Sequence, residues 1–411
     1  MNAVPDTAMR IALFTDSFYP ELGGIQDSIM ATARELGARG HRVMIFAPAA
    51  APEDFERAGL PPGEPKLGER VRVHRLFSVP LPGSTGQSRL VFPTLQRWRT
   101  LARFDPEVIH SHTFLGTGLE ALAVSRQLGL PLIGTNHWAI GGFSLYAPMA
   151  REAVARGCWR SVVGYYNRCD WVSAPSRATF QEMGKHGFRK PGGVISNPID
   201  IERFHPPRPG ERQALKAQLG LSDATVVYAG RLAREKRIEV LLRALPALCK
   251  RVPTAELVLA GHGTARESLE GLARELGVAD RVRFAGTLSH VALAELFRAA
   301  DVFALASTSE SQSMVLLQAM SAGLPAVGAR HGPLMDTITP NVGVLAEPEQ
   351  PDAFAEALAS LLRNATLRGV MGERTRQATA RFAVPAVADA WLDVYASTCR
   401  GDTIASAAGW S

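Results

Sequence analysis

Cysteine is scarce in this chain. Its 411 residues include four, Cys158, Cys169, Cys249 and Cys399. No two of them form a Cys-x-x-Cys pair, and their spacing fits no zinc pattern. Scattered thiols of this kind argue against a disulfide scaffold and suggest a reducing, cytoplasmic compartment. Long apolar runs are also missing. The longest, such as Asp301 to Ala306, are strand-length, whereas a bilayer span needs about 18–20 apolar residues. The start, Met1 to Met9, is polar and carries Asp6, unlike a signal peptide. Aromatic residues are 7% of the chain, and they are not interleaved with the basic ones, which argues against a nucleic-acid platform. No Asp-x-Asp occurs.

What is present describes an ordinary globular chain, with 46% hydrophobic and 20% charged residues. The length suggests two domains. The net charge of +6 is unevenly placed. Residues 1–200 carry 22 Lys and Arg against 17 Asp and Glu, a surplus of +5, and the remainder carries +1. Any anionic surface would therefore meet the first half.

Short apolar runs alternate with helical periodicity. Met9 to Asp16 reads as a buried parallel strand, followed by the turn Gly23-Gly24, a helix from Ile25 to Arg39 and a second strand from His41 to Ala47. Further strand-like runs lie near 71–76, 108–110, 132–134, 171–174 and 193–196. The alternation restarts after the Pro-rich break Phe204 to Gly210, with strands near 225–229, 256–260, 282–285, 302–305, 326–328 and 342–345. Asp352 to Thr398 reads as successive helices. This is an α/β pattern of two doubly wound, Rossmann-like parallel-sheet domains. Such sheets bind ligands beyond the carboxyl ends of their strands, so a cleft between two facing domains is the expected site.

Three segments carry chemistry. Tyr19-Pro-Glu-Leu-Gly-Gly-Ile25 joins a strand to a helix, whose N-terminus attracts anions. It lacks the third glycine of a dinucleotide fingerprint, so a nicotinamide site is disfavoured. Gly230-Arg-Leu-Ala-Arg-Glu-Lys236 follows a strand directly. It offers a guanidinium, Arg231, and an ammonium, Lys236, able to clamp a diphosphate; a solvated basic loop fits the same residues. Ala306 to Met320 runs from a hydroxyl-rich loop through Glu310 into a helix expected to start near Ser311 to Ser313, with Gln318 about two turns inside.

In this order and spacing, the three segments resemble the retaining GT-B glycosyltransferases whose signature is Glu-x7-Glu. Gly261-His-Gly263, Val282-Arg-Phe-Ala-Gly286 and Ser309-Glu-x7-Gln-Ala-Met-x-x-Gly-x-Pro325 complete the resemblance, which covers nearly the whole chain. It implies an acceptor-binding domain at 1–203 with a C-terminal helix at about 385–411, and a nucleotide-sugar domain at 204–384. Arg231 and Lys236 would bind the donor diphosphate and stabilise the leaving group. Glu310 would hold hydroxyls of the sugar, and the backbone around Gly230, Ser313, Met314 and Val315 would contact sugar and phosphates. Gly261 and Gly263 would shape the nucleotide pocket, with Phe284 along the base. Gly23 and Gly24 would lie near the diphosphate or acceptor. His137, after the strand at 132–134, resembles the family's active-site histidine. His112 and Asp16 are further acceptor-side candidates. The pair His110/His112 suggests a metal only if a third ligand joins it, and none is apparent.

Two departures stand out. Gln318 occupies the place of the second Glu, so a ribose contact there would lose its charge assistance. Arg237 stands where a glycine commonly follows the lysine. The resemblance implies transfer of a hexose from a UDP-linked donor such as UDP-glucose, without a metal. The neighbourhood of Trp138 to Met149 and Thr308 to Gln312 is similar to the branch that glycosylates diacylglycerol and related lipids. A soluble or polysaccharide-intermediate acceptor and a catalytically silent binding subunit are the rivals. Arg89 to Phe104 reads as a basic amphipathic helix, with Val91, Leu95, Trp98, Leu101 and Ala102 on one face. Such a helix would lie on an anionic membrane surface, peripheral on its inner face, or pack on a sheet.

Overall fold

A computed structural model describes residues 8–21, 23–80, 89–93, 98–138 and 151–402. The chain divides into two compact units. Met1–Pro198 with Val384–Ser411 form one, and Ile199–Ala383 form the other. The boundary falls after Pro198, so the Pro-rich segment at 204–210 lies inside the second unit instead of linking the two.

The first unit is built on strands β1 (Arg10–Phe14), β2 (Arg42–Pro48), β3 (Val71–Leu76), β6 (Val108–Ser111), β7 (Leu132–Thr135), β8 (Trp171–Ala174) and β9 (Gly192–Val194). The intervening β4 (Ser78–Pro80) and β5 (Arg89–Val91) form a separate antiparallel ribbon. The seven-stranded sheet is parallel throughout, in the order β3-β2-β1-β6-β7-β8-β9. Apolar layers lie on both faces, so the central strands β1, β6, β7 and β8 are buried on both. Along β1, Ala12 and Phe14 point into one apolar layer, and Ile11 and Leu13 into the other. The helix Val384–Arg400 returns to this second layer and buries Val387, Ala388, Trp391, Leu392 and Tyr395 there. Their helical spacing makes one apolar stripe.

The segment 89–104 is not one helix. Arg89–Val91 is the strand β5, and Trp98–Phe104 is a helix. Pro93 lacks the N–H a helix would need there. The Arg89 guanidinium is turned inward, bonded to Asp54 Oδ2 at 2.7 Å and Ser78 Oγ at 2.8 Å. Val91 and Leu101 are core residues, whereas Ala102 is exposed. The apolar face that the periodicity offered to a membrane is therefore spent on packing, at least at Val91 and Leu101. Residues 139–149 of the apolar stretch after Trp138 lie outside the described residues.

The second unit has β10 (Ala224–Ala229), β11 (Ala255–Ala260), β12 (Val282–Gly286), β13 (Val302–Leu305), β14 (Ala326–Ala329) and β15 (Gly343–Ala346). All pair in parallel, in the order β12-β11-β10-β13-β14-β15. The order reverses between β10 and β13, which defines the topological switch point. Ile238, Leu241, Leu242, Leu245 and Leu248 of the helix Ile238–Arg251 form the stripe that covers this sheet. Among the described residues, no helix is long and apolar enough to cross a membrane.

Candidate active site

In the second unit, both charged motifs emerge at the switch point. The chain leaves β10 through Gly230 (φ 139°) and β13 through Ala306. The first loop ends in a short 3-10 turn, Arg234–Lys236, and the second carries Glu310. Lys236 Nζ and Glu310 Oε1 meet at 2.8 Å, with 17% and 10% of their side chains exposed. The two loops are also tied by Ser307, whose Oγ donates to the Glu235 carbonyl at 3.4 Å. Two motifs 74 residues apart are thus one site.

Arg231 is held by a residue the sequence reading passed over. Its Nη2 donates to Glu235 Oε1 at 2.8 Å, and the Glu235 side chain is almost wholly buried. Tyr228 Oη donates to the Arg231 carbonyl at 2.9 Å. The i,i+4 spacing of Arg231 and Glu235 was the available signal. About half of the Arg231 side chain remains exposed.

The glycines after β11 are required by loop packing. A Cβ on Gly261 would stand 1.9 Å from the Gly230 carbonyl oxygen, and one on Gly263 would stand 2.2 Å from that of Leu232. Backbone bonds zip the two loops, from Gly230 N to Ala260 O and from Leu232 N to His262 O, both 2.9 Å. Gly261 and Gly263 therefore set the position of the Arg231–Lys236 loop. Phe284 sits on the sheet-edge strand β12 under the Arg266 guanidinium, 5.6 Å from its ring centre.

After Glu310 the helix Met314–Ser321 begins, with Ser313 as its N-cap accepting from Leu316 N at 3.3 Å. The N–H groups of Met314 and Val315 precede the first intrahelical donor, Leu317 N, and point out of the helix end. Gln318 is buried within the helix. Arg237 adopts φ 52°, the left-handed region where glycine is unstrained, which explains why a glycine suits this position. Its guanidinium pairs with Glu239 and Glu349.

In the first unit, Asp16 follows β1. It accepts from Thr117 N at 2.8 Å and Thr113 Oγ1 at 3.0 Å, holding the start of the helix Thr117–Leu128. Burial raises its carboxyl to about 6. Gly23 is extended (φ 165°), and Gly24 opens the helix Gly24–Ala38. His112 and His137 follow β6 and β7, and His112 Nδ1 lies 3.0 Å from His137 Nε2. His110 is fully committed elsewhere, with Nδ1 at 2.8 Å from Tyr395 Oη and Nε2 at 2.7 Å from Thr135 Oγ1. All three imidazoles are pushed down by burial, His137 to about 4, so they are neutral at neutral pH. Among the described residues, no three acidic, histidine or cysteine side chains converge as a metal site.

The cation–carboxylate pair thus stands at the switch point of a parallel sheet, the place where such sheets bind ligands. Residues 211–378 match the family "Glycosyl transferases group 1", and residues 22–203 match "Glycosyltransferase Family 4". The chain is 32% identical over 404 residues to the D-inositol 3-phosphate glycosyltransferase of Saccharomonospora viridis, covering 91% of this chain and 89% of that one. It is 27% identical over 332 residues to the alpha-monoglucosyldiacylglycerol synthase of Streptococcus pneumoniae, covering 79% and 71%. Among solved structures, it resembles Anabaena Alr3699/HepE in complex with UDP and glucose, with a TM-score of 0.75 and 22% identity over 95% of this chain and 100% of that one. The chain belongs to the group 1 glycosyltransferases and has the GT-B fold.

Proposed function

We propose that this glycosyltransferase moves a hexose from a UDP-linked donor, UDP-glucose in the first instance, to a membrane lipid such as diacylglycerol, with retention and without a catalytic metal. The observation that carries the reading is the Lys236–Glu310 pair at the switch point, with Arg231 beside it in sequence on the same loop. Arg231 and Lys236 take the diphosphate, and their fixed charge meets the negative charge that develops on the leaving group. Binding of the diphosphate draws on Lys236 and releases Glu310 toward the sugar hydroxyls. The N–H groups of Met314 and Val315 add donors, and Gln318 accepts from the ribose. With this cationic clamp the leaving phosphate needs no metal. It also takes the acceptor proton, in a front-face displacement that retains the anomeric configuration.

The diacylglycerol acceptor is supported by the Streptococcus pneumoniae relative. The surplus of +5 in residues 1–200 favours an anionic membrane surface. A second reading, with a soluble phosphorylated acceptor, is favoured by the D-inositol 3-phosphate relative, which matches over more of the chain.

The test is a donor and acceptor screen. UDP-glucose and GDP-mannose are each offered with diacylglycerol vesicles or with inositol 3-phosphate, with and without EDTA, and the product anomer is read by NMR. An α-linked glucolipid formed in EDTA is expected. Transfer only to inositol phosphate would move the acceptor to the second reading. A β-linked product would overturn retention, and abolition by EDTA would overturn metal independence. No turnover of any donor, with Arg231→Ala indistinguishable from wild type, would leave a silent binding subunit.

A further inference from the structure

The carboxyl ends of β6 and β7 gather His110, His112 and His137 in one buried group. Their sequence positions do not announce it, since His112 and His137 are 25 residues apart. The three rings are held differently. Both nitrogens of His110 are bonded, and Thr135 passes the chain on to Ser173 Oγ at 2.8 Å. Trp391 packs against the His110 ring, with centres 4.4 Å apart. His110 is therefore a fixed wall, and the His112 ring lies on it at 4.1 Å.

Among the described residues, the side chains of His112 and His137 are hydrogen-bonded only to each other. A nitrogen-to-nitrogen distance of 3.0 Å needs one proton between two lone-pair sites. Burial keeps both rings neutral, so each carries a single proton. One of the two protons occupies the shared bond, and the other sits on an outer nitrogen, His112 Nε2 or His137 Nδ1. Neither outer nitrogen is bonded among the described residues. If His112 donates, His137 shows an N–H outward at Nδ1; if His137 donates, it shows a lone pair. The hydrogen-bonding character that His137 presents is thus coupled to the proton position on His112.

We propose that His112 is a positioning residue that sets the ring plane and tautomer of His137 for sugar transfer. The inference rests on the reading of His137 as the acceptor-side histidine. His110, tied to Tyr395 of the last helix, supports His112 and does not touch His137 through a hydrogen bond.

Two variants test it. His112→Phe keeps a ring on the His110 wall and removes the nitrogen. His112→Asn restores a polar atom near the Nδ1 place. Turnover is followed as UDP release from UDP-glucose with vesicles of diacylglycerol and phosphatidylglycerol. His112→Phe is expected to lower kcat by roughly 10–100-fold with the donor KM nearly unchanged, and His112→Asn to recover most of it. In a His137→Phe background, His112→Phe should add nothing. The readout free of substrate is the long-range proton–nitrogen spectrum of histidine-labelled protein, in which His112→Phe should shift the His137 nitrogens toward a mixture of tautomers. Unchanged His137 nitrogens, or a further loss of kcat in the His137→Phe background, would overturn the proposal. If His137→Phe alone keeps full activity, the acceptor-side reading has failed instead, and the spectra still decide whether His112 sets the tautomer.

Discussion

The Lys236–Glu310 pair allows stability and catalysis to be separated by mutation. At 2.8 Å, with an effective dielectric of about 20, the gross attraction is roughly 6 kcal/mol. Desolvation of two largely buried side chains offsets most of it, leaving a net of about 1–3 kcal/mol. Lys236→Met should therefore lower the unfolding free energy by about that much, because it strands the Glu310 carboxylate. Glu310→Gln should cost less, since the amide oxygen still accepts from the ammonium. The double variant has no stranded charge and should regain most of the stability.

Catalysis should not follow. If Lys236 stabilises the departing diphosphate, its loss removes one fixed charge from the transition state, worth about 2.7–4 kcal/mol, or 10²–10³ in kcat. Pairing off Glu310 cannot restore that. The assay is initial rate at saturating UDP-glucose beside urea melts of all four proteins of the cycle. A double variant that regains stability but stays 10²-fold down or more is the expected result. A Lys236→Met enzyme within about threefold of wild-type kcat, less than 1 kcal/mol, would refute the electrostatic role and leave the pair as a structural strut.

Three further outcomes follow from the geometry. Gly261→Ala puts a Cβ 1.9 Å from a backbone oxygen, so the loop at 230–236 must shift; a loss above about 2 kcal/mol in urea melts and a raised donor KM are expected, and a wild-type KM would detach this turn from the donor. Asp16 has its folded pKa raised from 3.8 to about 6, so the protonated form favours folding: its stabilisation is complete below pH 4 and is lost as pH rises through 6. Asp16→Asn should remove that slope and leave the protein more stable at pH 7 by about 1–3 kcal/mol; parallel stability profiles for the two proteins would refute the assignment. At φ 52°, Arg237→Gly should change stability by less than about 1 kcal/mol, while Arg237→Val, β-branched in the left-handed region, should cost at least that much; equal effects would show that backbone strain is unimportant there.

Most strands were legible because parallel strands buried on both faces read as uninterrupted apolar runs. Trp171 to Ala174, buried throughout, has the same limits in sequence and structure, and so does the edge strand Val71 to Leu76, although Arg72, His74 and Arg75 interrupt it. The donor loops were legible because strand, turn and charge are adjacent in the chain. What sequence did not reveal depends on pairing across it. The bond of His112 to His137 follows from the alignment of β6 with β7, and that of His110 to Tyr395 spans 285 residues. Arg89 was misplaced for a related reason. Its buried partner, Asp54, lies 35 residues away, and a helical wheel drawn over 89–104 has no place for it.

The two sheets use one topology for different ends. Each reverses strand order at one point, β1 beside β6 and β10 beside β13, and there the chain leaves both strands in opposite directions. In the second unit that point is polar, with Lys236 and Glu310 meeting above it. In the first unit Asp16 closes the same point, because its carboxylate is consumed by Thr113 and Thr117. A Cβ on Gly116 would lie 2.6 Å from Asp16 Oδ1, so the helix start is pressed against the carboxylate. The uncommitted chemistry of this unit is displaced one strand along, to the ends of β6 and β7, where the outer nitrogens of His112 and His137 lack partners among the described residues. Asp16 therefore braces the start of the helix Thr117–Leu128, and the histidine pair, one strand along, is the part of this unit whose ring nitrogens stay open to a further partner among the described residues.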